Sequence, residues 1–275
     1  MEAKTDNPGR GADWTQWYAC RLCGQQHRAE VQLALAWHAW QTYAWSDDPQ
    51  IYNICMLLGN ALPKAGCCEQ AIPLLVAQVE ECGGGSPKAM GICDNLATCY
   101  IQTGQVEKGL QLKRISYDDA VNVLGPTSER TLSIAASLGG SLAQHQSKEG
   151  KIFLREKLPI IRSTLGDDHH ISILAGGHLI RAIIQDGSDY GHPHDETLED
   201  IEQRTTNEAE LIEATHRKTQ LIQDTHEAVK LLRLFLPISE RVFGKDHPFH
   251  KQHMLMIGAM VRFRMEEMGT PWPAS

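Results

Sequence analysis

The chain has 275 residues, 42% hydrophobic and 22% charged, which suits one large globular domain or one extended array rather than a disordered segment. Its net charge of −8 argues against nucleic-acid binding and against binding to anionic membranes, both of which need clustered Lys and Arg. No run approaches the ~18 consecutive apolar residues of a membrane helix. The first twenty residues lack the apolar core of a secretory signal, so a cytoplasmic location with reduced thiols is expected.

Residues 1–47 form an N-terminal segment with five of the six tryptophans, Trp14, Trp17, Trp37, Trp40 and Trp45. Its stretch HRAEVQLALAWHAWQTYAW reads as one helix that caps the array behind it, because an array must cover its open apolar end. The other reading is an aromatic patch that binds a partner. Cys20, Cys23 and His27 form half of a zinc-like site, but no second close pair of ligands follows. They read as ordinary small side chains near a helix start.

From residue 48 a repeat takes over. Gly83, Gly125, Gly166 and Gly244 are each followed thirteen residues later by an apolar residue: Leu96, Leu138, Leu179 and Ile257. Leu58-Gly59 adds an earlier unit, and the steps between Leu58, Leu96, Leu138 and Leu179 are 38, 42 and 41 residues. A period of about 40 without strand-like alternation predicts paired helices stacked on one another. First helices are expected to begin near residues 49, 87, 129, 169 and 248. Gly109, Gly150 and Ala228 are the small residues that let each second helix approach the first, with turns at Gly66, Gly104 and Gly187. The expected class is all-α, an α-solenoid of stacked helical hairpins.

This pattern gives a structural meaning to two chemically suggestive stretches, TLGDDHH at 164–170 and VFGKDHPF at 242–249. A closing glycine ends one helix, and Ser, Thr or Asp then caps the next. Ser86, Thr127 with Ser128, Asp168 beside His169, and Asp246 beside His247 fall in these slots, with Pro87 and Pro248 at the first helical position. Asp168 and Asp246 are therefore read as caps and not as metal ligands or catalytic acids.

EAVKLLRLFLPISERVFGKDHP (227–248), LREKLPIIRSTLGDDHH (154–170) and GICDNLATCYIQTGQVEKGL (91–110) resemble tetratricopeptide (TPR) repeats of the kinesin-light-chain type. The likeness extends over residues 48–268, with an insertion at about 187–223 whose second half reads as helical and lengthens the next helix, and a tail at 269–275. The third unit departs from the pattern by carrying Lys151 next to Gly150. The resemblance implies a superhelix whose concave face binds peptides of other proteins, hence a scaffold or adaptor. A looser likeness points to the repeat region of lysine methyltransferases that join a zinc finger to a SET domain, although nothing here resembles the SET core.

His192, His194 and Asp195 form a metal-like cluster without a further ligand and read as a solvated loop. GGGS at 83–86 lacks the Lys-Ser/Thr of a phosphate loop, and no catalytic signature occurs. No enzyme activity, cofactor or metal is expected. The anticipated partner is another protein or peptide, with no nucleic acid and no membrane insertion. Counting from the reference leucine places Asn53, Met56, Asn60 and Lys64 in the first groove-lining helix, and Asp94, Thr98 and Gln102 in the second. Ser133 and Gln144 belong to the third, Arg181 and Gln185 to the fourth, Gln252 and Arg262 to the last. Amides offer donors and acceptors to an extended peptide backbone, and Lys64, Arg181 and Arg262 suit acidic side chains.

Overall fold

The computed structural model describes residues 29–43, 58–59, 61–63, 65–83, 85–188, 208–247 and 249–267. Among these the regular structure is entirely helical. The helices are α1 (Ala29–Tyr43), α2 (Cys68–Cys82), α3 (Pro87–Gln102), α4 (Val106–Leu124), α5 (Glu129–His145), α6 (Ser147–Leu165), α7 (His170–Ser188), α8 (Glu208–Phe243), a π-helical segment (Phe249–Leu255) and α9 (Met256–Glu267). The chain divides into two compact units, Met1–Leu112 and Lys113–Ser275.

One loop design recurs. Gly83, Gly125, Gly166 and Gly244 all have φ between 72° and 89°. At Gly83 and Gly166 ψ is 129° and 160°, an extended backbone on the positive-φ side that a Cβ strongly disfavours. In each loop the glycine carbonyl accepts from the N–H three residues on, at Ser86, Ser128, His169 and His247. That turn fixes the capping slot. Ala89 N–H donates to Ser86 Oγ and Thr131 N–H to Ser128 Oγ, both at 3.2 Å, while Ile171 N–H donates to His169 Nδ1 at 3.3 Å.

Two expected caps are thereby corrected. Asp168 and Asp246 stand one residue short of the slot and have other partners: Asp168 pairs with Arg241, and Asp246 with Lys251 Nζ at 2.7 Å. First helices begin at Pro87, Glu129 and His170, as the spacing predicts. The last begins at Phe249 but opens with π-helical winding; the start expected near 49 lies outside the described residues. The turn expected at Gly187 is also corrected, because α7 runs through it to Ser188. Glycine permits a turn there without imposing one.

In the first unit, α2 packs on α3. Leu58, Ala71, Leu75, Ile92, Leu96 and Cys99 form its core, with Ala36 of α1 among them. On α1, Ala36 and Ala39 are buried while Trp37 is exposed. The small residues work as the period suggests. A Cβ on Gly109 would lie 2.6 Å from the Ala97 carbonyl oxygen.

In the second unit, α5, α6, α7 and α8 pack successively around Leu138-flanking and Leu179-flanking apolar faces, and α7 also contacts α9. Its core includes Leu154, Ile161, Ile173, Leu179, Leu232 and Phe235, closed by Met254, Ile257 and Val261. Glycines set the helix separations here. A Cβ on Gly150 would come within 2.5 Å of the Ala143 backbone nitrogen. Gly139 receives Leu154, and Gly176 receives Phe235. These knobs alternate with holes, so large and small residues exchange places from one helix to the next.

Candidate functional site

The first-helix face of the second unit is built from two stripes. On α5, Ser133, Ser137, Gly140 and Gln144 follow helical spacing; on α7 so do His178, Arg181 and Gln185. The stripes abut at Gly140, where an added Cβ would lie 2.5 Å from His178 Nε2. Ser133 and Gln144 are exposed, whereas Arg181 and Gln185 are half-buried. Burial lowers the Arg181 pKa from its ordinary value. A partly desolvated guanidinium forms stronger charge-assisted hydrogen bonds than one in bulk water.

The other predicted positions are placed differently. Asp94, Thr98 and Gln102 share a stripe of α3 in the first unit, where the Thr98 hydroxyl donates to the Asp94 carbonyl at 2.8 Å. Gln102 Oε1 accepts from the Cys68 thiol at 2.9 Å, so its amide already serves the α2–α3 contact. Arg262 lies on α9 beside a hollow that Leu232 and Leu236 of α8 help to line. Gln252 falls in the π-helical segment. Asn53, Met56, Asn60 and Lys64 lie outside the described residues, as do Cys20, Cys23, His27, His192, His194 and Asp195.

Sequence reasoning missed the most charged feature of the second unit. Lys151, 6% exposed, contacts Asp186 of α7 and donates to Asp224 Oδ2 of α8 at 2.6 Å. Arg155, one turn on, reaches Asp224 Oδ1 at 2.9 Å and also pairs with Glu227. Gln220 Nε2 completes the shell of Asp224 at 2.8 Å. Burial works against the Lys151 ammonium, but hydrogen bonds to Asp186 and Asp224 outweigh it and raise its pKa. Burial likewise opposes the Asp224 carboxylate, and hydrogen bonds from Lys151, Arg155 and Gln220 hold its pKa below the usual value. The group is a largely buried ion-pair network of two cations and three carboxylates, and its chemistry is structural. The available signal was Lys151 itself, a cation directly beside a helix-packing glycine.

Among the described residues no three His, Cys, Asp or Glu side chains gather as a metal site, and no helix is long and apolar enough to cross a membrane. No family model and no curated protein matches this sequence. Among solved structures, the crystal structure of nearly identical TPR-like repeats of a chain described as a kinesin light chain, from Podosopora anserina, is similar at TM-score 0.51 and 17% identity; the match covers 81% of this chain and 99% of that one. The fold is a TPR-like helical repeat. BtubC (BKLC) from P. vanneervenii is matched over 91% of this chain and 96% of its own, at 12% identity and TM-score 0.44. In TPR-like terms α5 and α7 are first helices, and α6 and α8 are their second-helix partners.

Proposed function

We propose that the chain is a non-catalytic interaction module, a scaffold or adaptor whose first-helix face holds a segment of a partner protein. The observation that supports this reading is the abutment of the α5 and α7 stripes at Gly140 and His178, which sets Ser133, Gln144, Arg181 and Gln185 on neighbouring helices. Hydroxyl and amide groups satisfy an extended backbone without demanding one side-chain sequence. Arg181 adds preference for a carboxylate on the bound segment. The α3 stripe of the first unit, with Asp94 and Thr98, is a second polar surface of the same kind.

The test is selection of peptides from a displayed library on the purified chain, followed by affinity measurement. Selected peptides are expected to be extended and to carry an acid. Arg181→Glu, and Gln144→Ala with Gln185→Ala, should each weaken binding by about tenfold or more, the equivalent of ~1.4 kcal/mol, with unchanged helical circular dichroism. Binders indifferent to both variants would place the site elsewhere.

A further inference from the structure

The closing loops share one capping slot, the third residue after the glycine, but fill it with different chemistry. Ser86 and Ser128 present a hydroxyl that accepts from the N–H three residues on. His169 presents an imidazole whose Nδ1 accepts from Ile171 N–H at 3.3 Å. A hydroxyl keeps its lone pairs at any ordinary pH. An imidazole nitrogen accepts only while it carries no proton, and histidine is the side chain whose charge changes between about pH 5 and 8. The second ring nitrogen, Nε2, lies 3.7 Å from Glu129 Oε1 at the start of α5. The two contacts together select one neutral tautomer, with the hydrogen on Nε2 toward Glu129 and the lone pair on Nδ1 toward Ile171.

We infer that His169 is a proton-operated cap: neutral, it holds the first turn of α7 through Nδ1; charged, it releases that turn and pairs with Glu129 of α5. A solvent proton that adds to Nδ1 turns the acceptor into a donor facing the Ile171 N–H. It also puts a positive charge at a helix N-terminus, where the helix dipole opposes it. The Glu129 carboxylate attracts the same charge, so the ring exchanges one partner for the other. The surrounding charges leave this exchange to His169. Asp167 is engaged by Arg162 at the end of α6, and Asp168 by Arg241 at the end of α8. The His170 ring lies 4.5 Å from that of His169. Burial first, then the charge of His169, lower the His170 pKa against the pull of Glu129, so His170 stays neutral to lower pH than an ordinary imidazole. The rest of the loop does not depend on Nδ1. The Gly166 carbonyl accepts from the Ser172 hydroxyl at 2.6 Å, and the His169 carbonyl from Ile173 N–H at 3.2 Å. Only the first turn loosens. The inference concerns the loop itself and holds whether or not the α5–α7 face binds a peptide.

Nuclear magnetic resonance on the nitrogen-15-labelled full chain tests it, through the ring nitrogens of His169 and the amide exchange of Ile171 relative to its intrinsic rate. At about pH 8 the His169 Nδ1 is expected to be unprotonated and Ile171 protected, and by about pH 5 that protection should fall several-fold. His169→Asn places a non-titrating oxygen where it accepts from the same N–H two residues on, and should keep Ile171 protected throughout. Glu129→Gln should leave the cap intact when the ring is neutral but move its loss to lower pH, because the carboxylate no longer favours the charged ring. His170→Gln should retain the response. A proton on Nδ1 at the alkaline end, protection that does not change with pH in the parent chain, or an equal loss in His169→Asn would overturn the inference. So would a response that Glu129→Gln does not move or that His170→Gln abolishes.

Discussion

Lys151 and Asp224 are joined across 73 residues of sequence by a hydrogen-bonded ion pair of 2.6 Å, both side chains almost wholly buried. The pair ties α6 to α8, while Asp186 extends the tie to α7. Desolvating such charges is expensive, so each charge depends on its partners remaining in place. Lys151→Met should therefore destabilise the second unit by about 3–5 kcal/mol, the usual cost of orphaning a buried charge. Urea denaturation is the measurement. A smaller loss in Lys151→Met with Asp224→Asn than in Lys151→Met alone would show the coupling directly.

The same pair predicts a pH dependence. Asp224 has a depressed folded-state pKa, so its contribution is present above the unfolded carboxyl value of about 4 and is lost as pH falls through the lower folded value. Lys151 has a raised pKa, so its contribution is complete below about 10.4 and disappears as pH rises through the higher folded value. Stability measured by thermal melts should thus fall at both extremes. Asp224→Asn should flatten the acid limb relative to the parent chain.

Glycine positions should rank by what their Cβ meets. At Gly150 the obstacle is the Ala143 backbone, which cannot step aside, whereas at Gly139 it is the movable end of Leu154. Ala gains ~1 kcal/mol of helix propensity over Gly, while overpacking costs about 1–3 kcal/mol or more. Gly150→Ala should be clearly destabilising, and Gly139→Ala less so. Chemical denaturation of both variants decides the order.

Caps should rank by slot rather than by residue type. Ser128→Ala removes an acceptor from the start of α5 and should cost about 1 kcal/mol. Asp246→Ala removes only a fully exposed partner of Lys251 and should leave the melting temperature unchanged. An equal loss in both would restore Asp246 as a cap.

Cys99 should be chemically silent. Burial, together with the neighbouring Cys68 thiol, pushes its pKa up to about 12, and its side chain is inaccessible. Maleimide labelling of the native chain followed by peptide mapping should find Cys67 and Cys82, which are half-buried, modified well before Cys99. Labelling of Cys99 should require unfolding.

The period, helix starts and closing loops were legible in the sequence because their causes are local. A positive-φ glycine sets a turn within four residues, and that turn decides where the next helix begins and which side chain caps it. Even the error at Asp168 and Asp246 was local: the residue type suited a cap, but the turn places the slot one position later. The α5 and α7 polar positions were legible as stripes for the same reason, since helical spacing follows from the backbone alone. What the stripes touch was not. His178 on Gly140, Arg262 beside the α8 leucines, and Lys151 among two aspartates each depend on which helix lies opposite and at what rotation. Long-range packing sets that rotation by fitting knobs into glycine holes, and Gly187 shows the consequence. A residue that locally suits a turn remains in α7, and Asp186 just before it pairs with Lys151 of a different helix.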